Sequence, residues 1–67
     1  MKKVKLSCSV YSREAIEAAC VAYKNIVKID VSNDSISWQL KFSRFKYNPE
    51  RTVMEFENYL IGLENKI

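Results

Sequence analysis

Histidine is absent from this 67-residue chain, and glycine and proline each occur once. Without histidine, the chain lacks the commonest general base and the imidazole ligands of a Cys/His metal site. The one glycine, Gly62, lies within a pattern of helical period, so there is no glycine-rich loop of the kind that cradles phosphate groups. We therefore expect a protein that is not an enzyme and that has no metal or cofactor.

Cysteine occurs only twice, which excludes a disulfide framework. Cys8 falls on the apolar face of a predicted strand and Cys20 on the apolar stripe of a predicted helix, so both are interpreted as small buried hydrophobic residues. A bond between them stays open, because a sequence gives no distance between two sulfur atoms. Free thiols indicate a reducing compartment.

Long apolar runs are also missing, and Met1, Lys2 and Lys3 lead directly into a strand pattern without the apolar segment of a secretory signal. We expect no membrane association and a cytoplasmic location. Eleven basic residues against eight acidic ones give a net charge of +3. That excess favours solubility and a mild attraction to anions, and it is a weak indicator of nucleic-acid binding.

Three stretches alternate apolar and polar residues, as strands with one buried face do. We expect these strands at about Lys3 to Tyr11, Val27 to Ser32 and Ser35 to Phe45. Their intervening positions are small, polar or charged, so the second face of the sheet is polar. The apolar positions are Val4, Leu6, Cys8 and Val10, then Val27, Ile29 and Val31, then Ile36, Trp38, Leu40 and Phe42.

Two stretches have helical period instead. Ser12 is the predicted N-cap of the first helix, and Asn48 with Pro49 begins the second. The first helix is rich in alanine and therefore thin. Its apolar stripe is Ile16, Ala19, Cys20 and Tyr23, widened by Ala15 and Ala22, and that of the second helix is Val53, Phe56, Leu60, Leu63 and Ile67.

Two local signals complete the pattern. Asn33 and Asp34 tolerate positive φ and predict a tight hairpin turn between the second and third strands. After Phe42 the apolar residues Phe45 and Tyr47 fall on the opposite parity, which indicates a β-bulge or the end of the strand.

The order strand, helix, strand, strand, helix predicts one α+β domain over residues 1–67. We expect a two-layer sandwich with a mainly antiparallel sheet of order 1-3-2 and both helices on one face, a ferredoxin-like plait lacking its last strand. The alternative places the first strand beside the second, in parallel. A domain this small buries little surface, so oligomerisation is the open route to extra stability.

Nucleic-acid binding is the less favoured function. The polar sheet face carries lysine and serine but no central aromatic platform for base stacking. Contact with a phosphate backbone would use Lys3, Lys5, Lys28, Lys41 and Lys46, with Phe45 or Tyr47 as a single stacking residue. A lysine-rich solvated face with protected edges is the simpler interpretation.

Binding of a protein or peptide partner is the favoured function. The last helix has more apolar width than one sheet contact needs, because Met54, Tyr59 and Ile61 lie beside the main stripe. These three residues either bind a partner, a second copy included, or fill space left by the thin first helix. A peptide could also add to a sheet edge, at the first strand from Lys3 to Ser9 or at the second from Val27 to Ser32.

Residues 10–19, Val-Tyr-Ser-Arg-Glu-Ala-Ile-Glu-Ala-Ala, resemble the opening of the His-Xaa-Ser system protein HxsD family. There a strand ends in Tyr-Ser before a helix that starts with a Glu-Ala-Ile type sequence. The segment Glu55 to Ile61, with Asn58, is similar to that family's closing helix, although Leu60 to Glu64 departs from its pattern. The resemblance implies a small accessory protein that binds or chaperones a peptide modified by radical S-adenosylmethionine maturases, and it supplies no catalytic residues.

Overall fold

The computed structural model describes residues 2–65. Within them the chain forms strand β1 (Lys2–Ser7), helix α1 (Arg13–Tyr23), strands β2 (Lys28–Asn33) and β3 (Ser37–Ser43), and helix α2 (Pro49–Asn65). The predicted order of elements is confirmed. Ile67, the last residue of the predicted α2 stripe, lies outside the described residues.

The sheet has the order β1-β3-β2, and both pairings are antiparallel. Val4 and Val31 both pair with Leu40 of the central strand, one from each side. This confirms the predicted α+β sandwich, and the alternative with β1 parallel to β2 is wrong. The crossover through α1 carries the chain past β3 to the far edge, which leaves β1 and β2 as the two edge strands.

The core lies between one sheet face and the two helices. Its largest fully buried side chains come from α1, β3 and α2: Ile16, Leu40, Phe42, Phe56 and Leu60. The Phe56 ring meets Phe42 edge to face with centroids 5.1 Å apart, and it meets Tyr23 at 5.5 Å. These aromatic contacts join the two helices to the central strand.

Both predicted helix starts are confirmed. Ser12 caps α1, because its Oγ accepts a hydrogen bond from the Ala15 amide at 3.2 Å. Asn48 caps α2, because its Oδ1 accepts one from the Arg51 amide at 3.0 Å. Each cap satisfies one of the amide groups that have no partner within the first turn of a helix.

The predicted hairpin turn lies where expected, but its mechanism differs. Neither Asn33 nor Asp34 has a positive φ. Instead, the Asp34 carboxylate accepts hydrogen bonds from the amides of Ile36 at 2.9 Å and Ser37 at 2.8 Å. These two bonds lower the pKa of Asp34, and the nearby Lys5 adds to the effect.

The change of parity after Phe42 predicted a β-bulge or the end of the strand, and the structure has both: β3 ends at Ser43 and an extra residue follows it. Arg44 has a φ of 54°, and no other non-glycine residue within residues 2–65 has a positive φ. Lys28 pairs with Ser43. Two residues before Lys28, the Ile26 carbonyl accepts a hydrogen bond at 2.8 Å from the amide of Lys46, which lies three residues after Ser43. The segment that continues β3 therefore contains one residue more than the segment before β2. The extra residue places Phe45 against the core and leaves Tyr47 exposed.

The first and third strands were predicted too long, the second is shifted by one residue, and four predicted core residues are exposed. β1 ends at Ser7, because the amides of Val10 and Tyr11 turn back to the Ser7 carbonyl and leave Val10 outside. Ile36 lies in the hairpin turn and is 70% exposed. Val31 is 41% exposed on the edge strand, and Ala22 faces solvent on α1.

Candidate functional site

The two edge strands differ in which backbone groups they leave open. In an antiparallel ladder, hydrogen-bonded and non-hydrogen-bonded residue pairs alternate. One known hydrogen bond therefore identifies which residues of an edge strand direct their N–H and C=O groups toward the neighbouring strand and which direct them away. The Asp34 amide donates to the Ser37 carbonyl at 3.1 Å, which makes this pair a hydrogen-bonded one. It follows that the backbone groups of Ile29, Val31 and Asn33 point away from β3.

At the other edge, the Cys8 amide donates to the Ile36 carbonyl at 3.0 Å. The outward-pointing backbone groups of β1 are therefore those of Lys3, Lys5 and Ser7. Two of these three residues are lysines, and lysine is a residue that natural proteins use to protect a sheet edge from added strands. The β1 edge is thus the protected one.

A groove runs beside the β2 edge, between that strand and α1. It consists of two depressions that share Cys20 and Val21 of the helix. One depression extends to the start of β2 and the bulge after β3, and the other extends along Val31 to Asn33. We call this feature the β2 groove, bounded by α1 with its C-cap Lys24, by β2, and by Arg44 and Lys46.

The floor of the β2 groove is apolar and partly open to solvent. Ile29 pairs with Phe42 and Val31 with Leu40, so both side chains lie on the helix side of the sheet. Across from them, Val21 of α1 is 63% exposed. The groove therefore presents aliphatic surface beside a row of open backbone groups.

Cys20 also lines the groove, and its thiol is free, as is that of Cys8. Both cysteines are half-buried and pack against the core, so their predicted burial is only partial. Burial raises the pKa of the Cys20 thiol, and the negative charge of Glu17 raises it further. A thiol with a raised pKa is a poor nucleophile near neutral pH.

One end of the β2 groove is strongly basic. Lys24, Lys28, Arg44 and Lys46 line it, and within residues 2–65 no acidic side chain does. Two ion pairs are found within residues 2–65, Lys2 with Glu50 and Arg51 with Glu55. Neither involves any of these four basic residues.

The other end of the groove is nearly balanced in charge. Arg13 and Glu17 both line it. The Arg13 guanidinium lies over the Trp38 ring, 5.1 Å from its centroid. The positive potential is therefore concentrated at the end where β2 begins.

The candidate residues on α2 do not form one patch. Met54 and Ile61 lie two turns apart on one side of the helix, and both are exposed. Tyr59 lies on the other flank, where its ring contacts Tyr23 at 5.8 Å between centroids. Their binding of a partner stays a prediction, and any such contact would use Met54 and Ile61 separately from Tyr59.

The five candidate lysines divide into two groups. Lys3, Lys5 and Lys41 lie together on the polar sheet face, where Lys3 pairs directly with Lys41 and Asp30 pairs with Lys41 from the other side. Lys46 lines the β2 groove, and Lys28 lines it as well, at the start of the edge strand, although its place in the register is on the polar face with Asp30. Sequence reasoning missed their neighbours Lys24 and Arg44, as well as Val21, because only the crossover and the bulge bring these residues together.

No group of three or more His, Cys, Asp or Glu residues within the described part of the chain is placed to hold a metal ion. None of the helices found between residues 2 and 65 is long and apolar enough to cross a membrane. Comparisons with models of protein families, with curated proteins and with solved structures found no match to this chain.

Proposed function

We propose that this protein is a non-catalytic binding module that takes an extended segment of a partner protein or peptide as an additional strand beside β2. The observation that carries the proposal is the row of open backbone groups at Ile29, Val31 and Asn33, which lies along the exposed apolar floor of the β2 groove. In strand addition, the backbone supplies affinity and the pockets for alternate side chains supply specificity.

The β2 edge suits this role better than the β1 edge. At β1 the outward positions carry Lys3 and Lys5, and Lys2 is tied to Glu50 of α2 at 3.8 Å. At β2 the outward positions carry Ile29, Val31 and Asn33, and none of these is charged. An incoming strand therefore meets no lysine at the outward positions of β2 and contacts aliphatic side chains there.

Proline substitution separates the two edges. Val31→Pro removes an outward amide donor and leaves the bonds between β2 and β3, because proline is tolerated where the N–H faces solvent on an edge strand. Lys5→Pro does the same at β1 and is the matched control. We expect linear peptides selected from a phage-displayed library on the full chain to lose binding to Val31→Pro and to keep binding to Lys5→Pro.

The fold of each variant is checked by circular dichroism and thermal unfolding. If Val31→Pro does not fold, chemical synthesis of the 67-residue chain with N-methylvaline at position 31 removes the same donor. Peptides that bind Val31→Pro as well as the unsubstituted chain would refute strand addition at β2. Failure to select any peptide would count against a peptide-binding function altogether.

The sequence resemblance suggests a finer assignment, in which the partner is a peptide modified by a radical S-adenosylmethionine maturase. The free thiols of Cys8 and Cys20 suit a reducing, cytoplasmic setting for such an accessory protein. A maturase gene beside the gene for this chain would support this proposal, and neighbours that act on nucleic acids would oppose it.

Nucleic-acid binding is the second candidate, favoured by the grouping of Lys3, Lys5 and Lys41 on one sheet face. Phosphate contacts release counterions, so such binding weakens steeply as salt rises. Titration of single-stranded RNA at low and moderate salt tests it. No binding even at low salt would remove this candidate.

A further inference from the structure

We infer that the partner segment bound in the β2 groove is acidic, with carboxylates against the basic end of the groove and aliphatic side chains over its floor. The inference rests on the proposed strand addition and names the chemistry of the occupant. Charge complementarity carries it, because Lys24, Lys28, Arg44 and Lys46 line one end of the groove and no acidic residue within residues 2–65 lines that end with them.

The spacing of the open backbone groups sets the length of the occupant. Strand β2 spans Lys28–Asn33, so an added strand of five or six residues pairs with its whole edge. Successive side chains of a strand point to opposite faces. Residues of the partner that face α1 therefore contact Cys20, Val21 and Val31, and the residues between them lie on the polar face beside Asp30 and Ser32.

The position of the basic end sets where the carboxylates lie. Lys28 is the first residue of β2, and Lys24 is the C-cap of α1. Arg44 is the residue of the bulge with positive φ, and Lys46 follows two positions later. An antiparallel partner passes these cations with its C-terminal residues, and a parallel partner passes them with its N-terminal residues. The acidic cluster thus lies at one end of the segment and is not spread along it.

A peptide is favoured over RNA at this site for two reasons. The aromatic ring that lines the groove within the described residues, Trp38, is only 5% exposed and lies under the Arg13 guanidinium, so it offers little surface for base stacking. The open amide and carbonyl groups match those of another extended backbone. Phosphate groups would be held equally well by the cations, so RNA is kept as an outcome of the test.

The test uses four synthetic peptides with blocked ends. Each alternates valine with threonine over six residues. The first ends in four glutamates, the second begins with four glutamates, the third ends in four lysines, and the fourth ends in four serines. Binding to the full chain is followed by the amide NMR signals of Ile29, Val31 and Asn33, up to about 1 mM peptide.

We expect one of the two glutamate peptides to bind most tightly, and the preferred orientation will show the direction of the added strand. The double variant Lys24→Gln/Lys46→Gln should weaken this binding about fivefold, as the loss of two exposed ion pairs implies. The matched variant Lys3→Gln/Lys41→Gln changes the net charge equally on the polar sheet face and should leave the affinity unchanged.

Cys20 supplies an independent readout. A bound peptide should slow alkylation of Cys20, which lines the groove, and should leave Cys8 unaffected as the control thiol in the same molecule.

Three outcomes overturn the inference. Equal binding of the serine and glutamate peptides, with loss in Val31→Pro, rejects an acidic partner and leaves strand addition standing. No shift of the β2 amides by any peptide rejects both proposals. Single-stranded RNA that shifts the Lys24 and Lys46 signals while the glutamate peptides do not would assign the basic end to nucleic acid.

Discussion

The contact between the end of α2 and the start of α1 predicts a measurable contribution to stability. The Ser12 amide donates a hydrogen bond to Glu64 Oε1 at 2.6 Å, and the Ser12 hydroxyl donates to the same oxygen at 3.0 Å. In a capping box, the third residue of the helix is a Glu or Gln that accepts the hydrogen bond from the N-cap amide. Here that third residue is Ala15, and Glu64, 52 positions after Ser12, takes its place.

Glu64→Ala removes both hydrogen bonds and a negative charge near the positive end of the α1 dipole. A hydrogen bond to a charged group contributes about 1.5–3 kcal/mol, and the dipole contributes about 0.3–1 kcal/mol. Because Ser12 and Glu64 are only half-buried, solvent screens the pair, and we expect a net loss of about 1–2 kcal/mol. In a domain of this size, that lowers the melting temperature by roughly 7–14 °C.

The change in the free energy of unfolding is measured by urea unfolding, monitored by circular dichroism, and the melting temperature is measured by thermal unfolding. Glu55→Ala is the matched control, because it removes the same side chain from the same helix and loses only an exposed contact with Arg51. It should cost no more than about 0.5 kcal/mol. Glu64→Gln keeps one acceptor oxygen and should fall between the two.

A double-mutant cycle with Ser12→Ala isolates the hydroxyl contact, with an expected coupling of about 0.5–1.5 kcal/mol. If Glu64→Ala unfolds at the same urea concentration as Glu55→Ala, Glu64 does not cap α1 in solution. An unchanged dependence on urea across the variants is needed, since a change would indicate altered compactness of the folded or the unfolded state.

Three further outcomes are expected. Phe56→Leu should lower the free energy of unfolding by about 1–3 kcal/mol, because it removes the edge-to-face contacts with Phe42 and Tyr23, and a smaller loss in urea unfolding would contradict that packing. The lowered pKa of Asp34 means that its stabilisation is present above the unfolded value of 3.8 and is lost as pH falls through the folded value. Melting temperatures from pH 7 to pH 2 should therefore fall less for Asp34→Asn than for the unsubstituted chain, and parallel curves would oppose this. The exposed Met54 and Ile61 predict partial dimerisation at micromolar concentration, which a clean monomer in sedimentation at about 100 μM would exclude.

Most of the fold could be predicted from periodicity and capping. The alternation of Trp38, Leu40 and Phe42 predicted the central strand, and all three side chains are buried. Ser12 and Asn48 predicted the helix starts, because a side-chain oxygen that accepts from the first turn is a local requirement.

The strand ends could not be predicted in the same way. The apolar character of Val10 and Ile36 continued the alternation. The backbone turn at Ser7 ends β1 before Val10, and the turn at Asp34 delays the start of β3 until after Ile36. Hydrogen bonding in the turns decided the ends, and the hydrophobic pattern does not record it.

The candidate site could be predicted only in part. The β2 edge was one of two predicted sites for an added strand, and Lys28 and Lys46 were among the predicted basic residues. Their grouping with Lys24 and Arg44 depends on the bulge at Arg44 and on the crossover that places α1 beside β2. Of the three predicted contact residues on α2, Tyr59 lies apart from Met54 and Ile61, as helical spacing requires, and the structure adds that its ring packs against Tyr23.

The residue pattern alone was enough for the element order and for a sheet with one polar face, since both depend on interactions between near neighbours in the chain. The choice of strand order, the capping of α1 by Glu64 and the basic end of the β2 groove arise from residues far apart in sequence. Contacts of that kind depend on how helices and strands pack in three dimensions, and no local period encodes them.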